Sequence, residues 1–234
     1  RRVSAVGSRG RSALELLALA VAALAVAAPS LRGAFVSDDF YYLWSHPTVA
    51  SPSWRGFADV WNPFGSSALA ILNFAPVHLA LHMLEVAIFG RDPLGYHVVN
   101  ALVHAGVAFA LARLVGRTGG DARLALVAAL LFVVHPANVE AVAWISQLKT
   151  TASLLLALGA ALALERRPVL ATVLFALALL TKAQALAVLP FAAVLAWTSR
   201  DARAPARALR PEARLLVGWA GIACVYFAVE LAIF

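Results

Sequence analysis

Charged residues are scarce in this sequence. They make up 13% of its 234 residues, whereas hydrophobic residues make up 62%. A soluble domain has about a quarter charged and about half apolar residues. The deficit excludes a soluble globular enzyme and a disordered protein, and it argues against a nucleic-acid-binding protein despite the net charge of +7. Long runs rich in Ala, Leu and Val instead predict an all-α polytopic membrane protein.

Cysteine and nucleotide-binding motifs are almost absent as well. The single cysteine, Cys224, excludes an intrachain disulfide and a thiolate metal cluster. The sequence has no Walker loop, no Rossmann glycine pattern, no GxSxG elbow and no cysteine pattern of a zinc site. It therefore carries no visible machinery for nucleotide-driven chemistry.

Seven apolar blocks predict membrane spans. They cover approximately residues 12–29, 94–115, 121–136, 141–164, 168–181, 183–198 and 214–234. The first block predicts an anchor, because Ala27-Ala28-Pro29 makes a poor signal-peptide cleavage site. The sequence starts without Met and stops inside an apolar run. We therefore expect residues 1–234 to be the N-terminal part of a longer transmembrane domain whose C-terminal remainder is missing.

An eighth apolar stretch, 67–90, carries polar residues, including His78, His82 and Glu85. With a cytoplasmic N-terminus and this stretch lying on the outer face, most of the 19 Lys and Arg residues, including the arginines of 199–213, fall on the cytoplasmic side. We therefore predict about seven transmembrane helices plus one juxtamembrane helix on the outer face. The three residues would form its polar face, although the spacing also suits zinc.

The predicted first outer loop, about residues 30–93, is rich in aromatic residues and contains an acidic pair. The segment Phe40-Tyr41-Tyr42-Leu43-Trp44 suits either headgroup anchoring or a groove for a lipid donor. Asp38 and Asp39 precede it directly. One carboxylate of such a pair can take a proton while the other orients it or binds a cation. Capping of a short interfacial helix by Ser37 or Asp38 is the structural alternative.

Two further polar clusters interrupt the apolar blocks on the same predicted face. His135 ends one span before Pro136, and Glu140 opens the next helix, where the helix dipole alone would account for it. Together they could contribute to a divalent metal site. Lys182 and Gln184 form the other break, and Lys149 lies on the same side. Either lysine could bind a phosphate or extend to the membrane interface.

One predicted span carries a polar stripe. His97, Asn100 and His104 follow i, i+3, i+7 spacing, which places them on one side of a helix. Within a membrane such a stripe faces protein, so it predicts hydrogen bonds between helices.

Four segments carry a resemblance to a known family. They are Phe35-Val36-Ser37-Asp38-Asp39-Phe40-Tyr41, the FGRDPLGYHVVNALVHA motif at 89–105, the LFVVHPANVEAVAWIS motif at 131–146, and Thr181-Lys182-Ala183-Gln184-Ala185 with Pro190. In order and spacing the chain resembles the C-type (GT-C) integral-membrane glycosyltransferases over about residues 12–200. The nearest branch is the transmembrane and tetratricopeptide-repeat O-mannosyltransferases and their bacterial relatives.

The resemblance implies a sugar, mannose or similar, transferred with inversion from a polyprenyl-phosphate donor to a protein or glycan acceptor at the non-cytoplasmic face. It implies Asp38 or Asp39 as base. We expect the donor or its phosphate to be bound by Lys182, Lys149, His135, Glu140, Gln184, Arg91 and His97. Such folds include metal-using and metal-free members. Mg²⁺ or Mn²⁺ is therefore an open candidate cofactor, with Asp39, His135 and Glu140 as candidate ligands. The implied location is a bacterial inner membrane.

The sequence also departs from that family. Relatives commonly carry Arg-Pro where this chain has Ala75-Pro76, and Arg-Lys-Asp where it has Leu148-Lys149-Thr150. Two other functions remain as alternatives. One is a lipid or solute transporter or flippase that uses the same charged residues. The other is an inactive membrane scaffold for C-terminal repeats.

Overall fold

All regular elements are helical within residues 2–198 and 211–233, which the computed structural model describes. The predicted all-α class is therefore confirmed. The α-helices are α1 (Arg2–Ala27), α2 (Pro47–Ala50), α3 (Trp54–Val60), α4 (Ser66–Ile71), α5 (Pro76–Phe89), α6 (Pro93–Arg117), α7 (Ala122–Val134), α8 (Val139–Ala143), α9 (Leu148–Ala163), α10 (Pro168–Leu179), α11 (Val188–Thr198) and α12 (Pro211–Ile233). Shorter 3-10 turns are Ser30–Arg32, Pro136–Asn138, Ile145–Gln147 and Ala183–Ala187, and Phe40–Ser45 is π-helical.

Four helical segments are long and apolar enough to cross a membrane. They are Gly10–Ala27, Pro93–Arg117, Ile145–Ala163 and Glu212–Ile233. Ala122–Val134 and Pro136–Ala143 would make a fifth if this pair, bent by 54°, is one span. The chain is thus built as an integral multi-pass membrane protein. All four arginines of the 199–213 stretch lie outside the described residues.

The predicted count of about seven spans is not confirmed. The blocks at 168–181 and 183–198 contain apolar helices of only 12 and 11 residues. At 1.5 Å per residue, either is shorter than the roughly 30 Å hydrocarbon layer. Proline and the break at Lys182 limit their length, because Pro168 begins α10 and a 3-10 turn separates α10 from α11.

Helix α6 is the centre of the bundle and packs against α1, α7 and α9. Alanines dominate the contacts, as in the buried cluster of Ala23, Ala105, Ala108 and Ala129. Small side chains let membrane helices approach closely. A second core joins α9, α10 and α12, where the rings of Phe175 and Trp219 stack at 4.5 Å.

The bundle has two chemically different ends. We call one end the loop end because it carries residues 28–92. Helix α1 ends there, and helices α6 and α9 begin there. Helix α1 begins, α6 ends and α7 begins at the opposite end. That end carries Arg11, Arg113, Arg117, Arg166 and Arg167, and we call it the arginine end.

The predicted juxtamembrane helix at 67–90 is two helices. Leu72 adopts a left-handed conformation (φ 48°) after α4, and α5 starts at Pro76. The predicted polar face of this segment is wrong, because His78, His82 and Glu85 are all buried. They lie beside a small core of the loop end that includes Leu43, Leu79 and Tyr96.

Candidate active site

The acidic pair is divided between the protein interior and its surface. Asp39 is 1% exposed, whereas Asp38 is exposed. Ser37, directly before the pair, has a left-handed backbone (φ 48°) that a non-glycine residue adopts at a cost of about 1–2 kcal/mol. The turn is held by hydrogen bonds from the Asp39 and Phe40 amides to the carbonyls of Val36 and Ser37, at 3.0 and 3.2 Å.

Asp39 fastens the first loop to the start of α9. One carboxylate oxygen accepts a hydrogen bond from the Val36 amide at 2.9 Å. The other accepts from the Ser146 amide at 2.8 Å and from the Ser146 hydroxyl. Both oxygens are therefore occupied by protein donors, which is the arrangement of a positioning residue. Ser146 lies within the 131–146 motif, but no spacing argument identified it.

Asp38 has no hydrogen-bond partner within the described residues. Its charge acts on Tyr42 and Lys149. Burial raises the pKa of the Tyr42 phenol, and the nearby Asp38 carboxylate raises that pKa further. The structure thus leaves one exposed carboxylate beside a cation, with its oxygens available to another molecule.

The sequence has two lysines, and the structure brings both to this place. The Lys149 ammonium lies 4.7 Å from the centre of the Tyr42 ring and donates to the Tyr42 hydroxyl at 3.4 Å. The Lys182 ammonium donates to the Thr150 hydroxyl at 2.7 Å. Neither half-buried lysine forms an ion pair with any described residue.

A chain of polar contacts links Lys182 to Glu140. The Thr150 hydroxyl donates to the side-chain oxygen of Gln147, and the Gln147 amide donates to the Glu140 carboxylate at 3.3 Å. Burial lowers the pKa of Lys182, and the positive charge of Lys149 lowers it further, while Glu140 opposes the change. Thr150 gives Lys182 a neutral partner.

A row of aromatic and imidazole rings lies behind Tyr42. The rings of Tyr42 and His78 are 4.8 Å apart, and those of His78 and His82 are 4.5 Å apart. His82 Nδ1 lies 2.6 Å from a Glu85 carboxylate oxygen. Both ring nitrogens of His78 are buried without a hydrogen-bond partner among the described residues. Burial lowers the pKa of His78 well below its usual value, and His82 and both lysines add to that effect, so the ring is neutral.

Four of the predicted donor-binding residues stand apart from this group. His135 is exposed and accepts a hydrogen bond from the Ala137 amide at 3.2 Å, beside a cavity of about 240 Å³ at the end of α1. The Arg91 guanidinium lies 5.2 Å from the Trp44 ring. His97 Nε2 contacts the Gly33 carbonyl at 3.3 Å, and Gln184 is exposed. Within the described residues, none of the four bonds to Asp38, Lys149 or Lys182.

The predicted metal ligands do not form a set. Between residues 10–195 and 212–233 there is no group of three or more His, Cys, Asp or Glu side chains placed to hold a metal ion. Asp39 is bound to Ser146, His135 caps a turn, and Glu140 contacts Gln147. The residues present therefore do not fit a site made of Asp39, His135 and Glu140.

The polar stripe of α6 supports the backbone at a helix break. The Asn100 amide donates to the carbonyls of Trp144, Ile145 and Val142 at 3.0, 3.4 and 3.5 Å. His104 Nε2 contacts the Val133 carbonyl at 3.4 Å. These are the contacts between helices that the spacing predicted, and they satisfy carbonyl groups that helix breaks release inside a membrane.

Comparison with known proteins supports the resemblance to O-mannosyltransferases. No family model matches the chain, and no solved structure matches it. The mouse and human proteins named protein O-mannosyl-transferase TMTC1 are 35% and 34% identical to it, each over 121 residues and 50% of this chain. The Drosophila melanogaster protein O-mannosyl-transferase Tmtc1 is 41% identical over 101 residues, 43% of this chain.

The similarity covers only part of each relative. The matched segments span 13%, 14% and 10% of the mouse, human and fly proteins. The predicted likeness to the O-mannosyltransferases is confirmed over about half of this chain, and it supports a glycosyltransferase role.

Proposed function

We propose that this chain carries the base and the donor-phosphate site of a membrane glycosyltransferase. The enzyme would move mannose or a similar sugar from a polyprenyl-phosphate donor to an acceptor hydroxyl at the non-cytoplasmic face. One observation carries the proposal: the exposed carboxylate of Asp38 lies near Lys149, and both lysines are half-buried there without an ion pair to any described residue. The relatives named protein O-mannosyl-transferases support the same reaction class.

Asp38, rather than Asp39, is the base in this proposal. Its oxygens have no partner among the described residues, whereas Asp39 is held by Val36 and Ser146. The Asp38 carboxylate takes the proton of the acceptor hydroxyl. The acceptor oxygen then forms a bond to the anomeric carbon of the sugar from the side opposite the phosphate. The bond from that carbon to the phosphate oxygen breaks, which inverts the configuration and releases polyprenyl phosphate.

The lysines stabilise the leaving phosphate. Negative charge accumulates on the phosphate oxygens as the sugar departs, and fixed cations in a partly buried site oppose that charge effectively. Lys149 is held over the Tyr42 ring and Lys182 by Thr150. Glu140, reached through Gln147 and Thr150, orients Lys182 rather than touching the donor. These steps use only side chains of this chain.

Release of polyprenyl phosphate tests the proposal. The protein in membrane vesicles would be supplied with polyprenyl-phosphate mannose, and the Asp38→Asn and Asp39→Asn variants would be compared with the wild type. We expect Asp38→Asn to reduce release on the order of 10²–10⁴-fold. Asp92→Asn is the matched control, because Asp92 is also exposed at the loop end and asparagine preserves its cap on Leu94.

The outcomes separate the possible functions. Release that is unaffected by Asp38→Asn removes this carboxylate from the mechanism. If a folded protein releases polyprenyl phosphate with none of the lipid-linked sugars, the result argues instead for a transporter or an inactive scaffold. A titration with EDTA tests whether Mg²⁺ or Mn²⁺ is required. If the lysines alone stabilise the phosphate, activity should remain complete in excess EDTA. A loss of activity that added metal restores would contradict that expectation.

A further inference from the structure

A second polar cavity lies at the arginine end, away from the candidate active site. It has a volume of about 360 Å³ and lies between α1, α6 and α7. Part of its lining consists of residues with small side chains, which leave space between the helices: Ala112, Gly116, Gly120 and Ala122. Leu19, Phe109 and Leu126 give it apolar walls, while Arg11, Glu15 and Arg113 bring charge. A cavity with cationic and apolar parts suits an amphiphile rather than a simple polar solute.

Positive charge exceeds negative charge in the cavity lining. Arg113 forms an ion pair with Glu15, donates to the Ser12 hydroxyl at 3.3 Å, and lies 4.7 Å from the Phe109 ring centre. Its Nε is buried without a partner among the described residues. Arg11 is exposed and forms no ion pair with any described residue. Glu15 therefore offsets only one of the two arginines.

Asp121 adjoins the lining residues Gly120 and Ala122 in the sequence but does not itself line the cavity. Asp121 precedes α7 and accepts a hydrogen bond from the Leu124 amide at 2.7 Å, so it caps that helix. Arg123 follows it within two residues. The fork of a guanidinium matches the oxygens of a phosphate, and basic pockets between membrane helices bind anionic lipid headgroups.

We propose that this cavity binds the phosphate headgroup of an anionic membrane phospholipid, with Arg11 and Arg113 contacting the phosphate. The upper part of an acyl chain then lies along Leu19, Phe109 and Leu126. The site is independent of the proposed transferase activity. It would join α1 to α6 and α7 through the lipid, in addition to the ion pair between Arg113 and Glu15.

Lipid binding to the purified chain in detergent tests the site directly. Native mass spectrometry would measure affinity for phosphatidylglycerol and for phosphatidylcholine of the same acyl chains. We expect preference for phosphatidylglycerol, and about fivefold weaker phosphatidylglycerol binding for Arg11→Gln, the change for one charge near an anionic lipid. Arg113→Gln should weaken it at least as much. Arg166→Gln, an exposed arginine at the same end, is the matched control and should have no effect.

Glu15→Gln separates binding from simple stabilisation. It removes the competing carboxylate, so phosphatidylglycerol should bind more tightly even if the variant unfolds at a lower temperature. Equal losses in Arg11→Gln and Arg166→Gln would overturn the site, because the lipid would then respond only to total charge. Unchanged or weaker binding by Glu15→Gln would also overturn it. Inorganic phosphate that competes as strongly as the lipid would overturn the assignment to a phospholipid, because it would leave the apolar walls without a role.

Discussion

The Lys149 ammonium lies 4.7 Å from the centre of the Tyr42 ring and 3.4 Å from its hydroxyl, so one aromatic side chain holds this lysine in two ways. Tyr42 comes from the first loop and Lys149 from the start of α9. Tyr42 follows Asp38 by one helical turn, so the same short segment carries the proposed base and the group that places the proposed phosphate-binding cation.

Tyr42→Phe should raise the KM for polyprenyl-phosphate mannose about threefold, with little change in kcat. The variant loses one hydrogen bond to a cation but keeps the ring. Tyr42→Ala should have a larger effect, about tenfold or more, because the ring is lost too. Steady-state transfer kinetics in vesicles would measure both. Equal effects of the two variants would show that the hydroxyl carries the whole effect and that the ring does not hold Lys149.

Lys182→Gln should reduce kcat/KM by about 10- to 100-fold, since a charged hydrogen bond to the phosphate is lost. Lys182→Arg should recover part of this activity because the charge remains. The control is Arg55→Gln, which removes an exposed cation of the loop end that has no hydrogen bond or ion pair among the described residues. A parallel loss in the control would mean that activity follows overall charge.

Some of this site could be predicted from the sequence, and some could not. Helical class and the polar breaks follow from composition and apolar block length. The division of labour between Asp38 and Asp39 does not, because it depends on the left-handed Ser37 and on Ser146, 107 positions away. Two adjacent carboxylates are equivalent in the sequence, and the hydrogen bonds from Ser146 distinguish Asp39 from Asp38.

The imidazoles of α5 illustrate a different limit. A polar stripe at i, i+4 spacing marks one side of a helix, but the stripe alone does not tell whether that side faces water or a polar interior. His78 and His82 are buried, and the Tyr42 ring packs against His78. The sequence also did not show where helices end. The predicted span at 141–164 is interrupted at Trp144, whose backbone is extended, and the Asn100 amide of α6 donates to the Trp144 carbonyl.

Acid should destabilise the loop end through His78. Its folded-state pKa is lowered by burial, so between that value and the ordinary 6.5 the unfolded chain binds the proton that the folded chain excludes. The contribution of His78 to the free energy of unfolding is therefore fully present above pH 6.5. It decreases as the pH falls below 6.5, by up to about 1.4 kcal/mol per pH unit for one group. His82, Lys149, Lys182 and His46 all disfavour a charge on this ring.

His78→Phe should reduce that acid sensitivity. Phenylalanine retains an aromatic ring beside Tyr42 and removes two unpaired nitrogens, so the Tm at pH 7.5 should not fall. Thermal unfolding in detergent at pH 7.5 and 5.5 would compare the wild type, His78→Phe and the exposed control His135→Gln. An equal drop in Tm on acidification in all three would assign the pH dependence to other groups.

Asn100→Leu should destabilise the protein by about 1–3 kcal/mol and open the backbone around the helix break first. The Asn100 amide is fully buried and donates to the carbonyls of Val142, Trp144 and Ile145, which would lose their shared partner. Hydrogen exchange should accelerate at residues 142–150 more than in α10, because the break adjoins Ser146 and hence the bond to Asp39. Transfer activity should fall with this local opening. Uniform acceleration across the bundle would instead mean that Asn100 supports the whole core and not the geometry of the site.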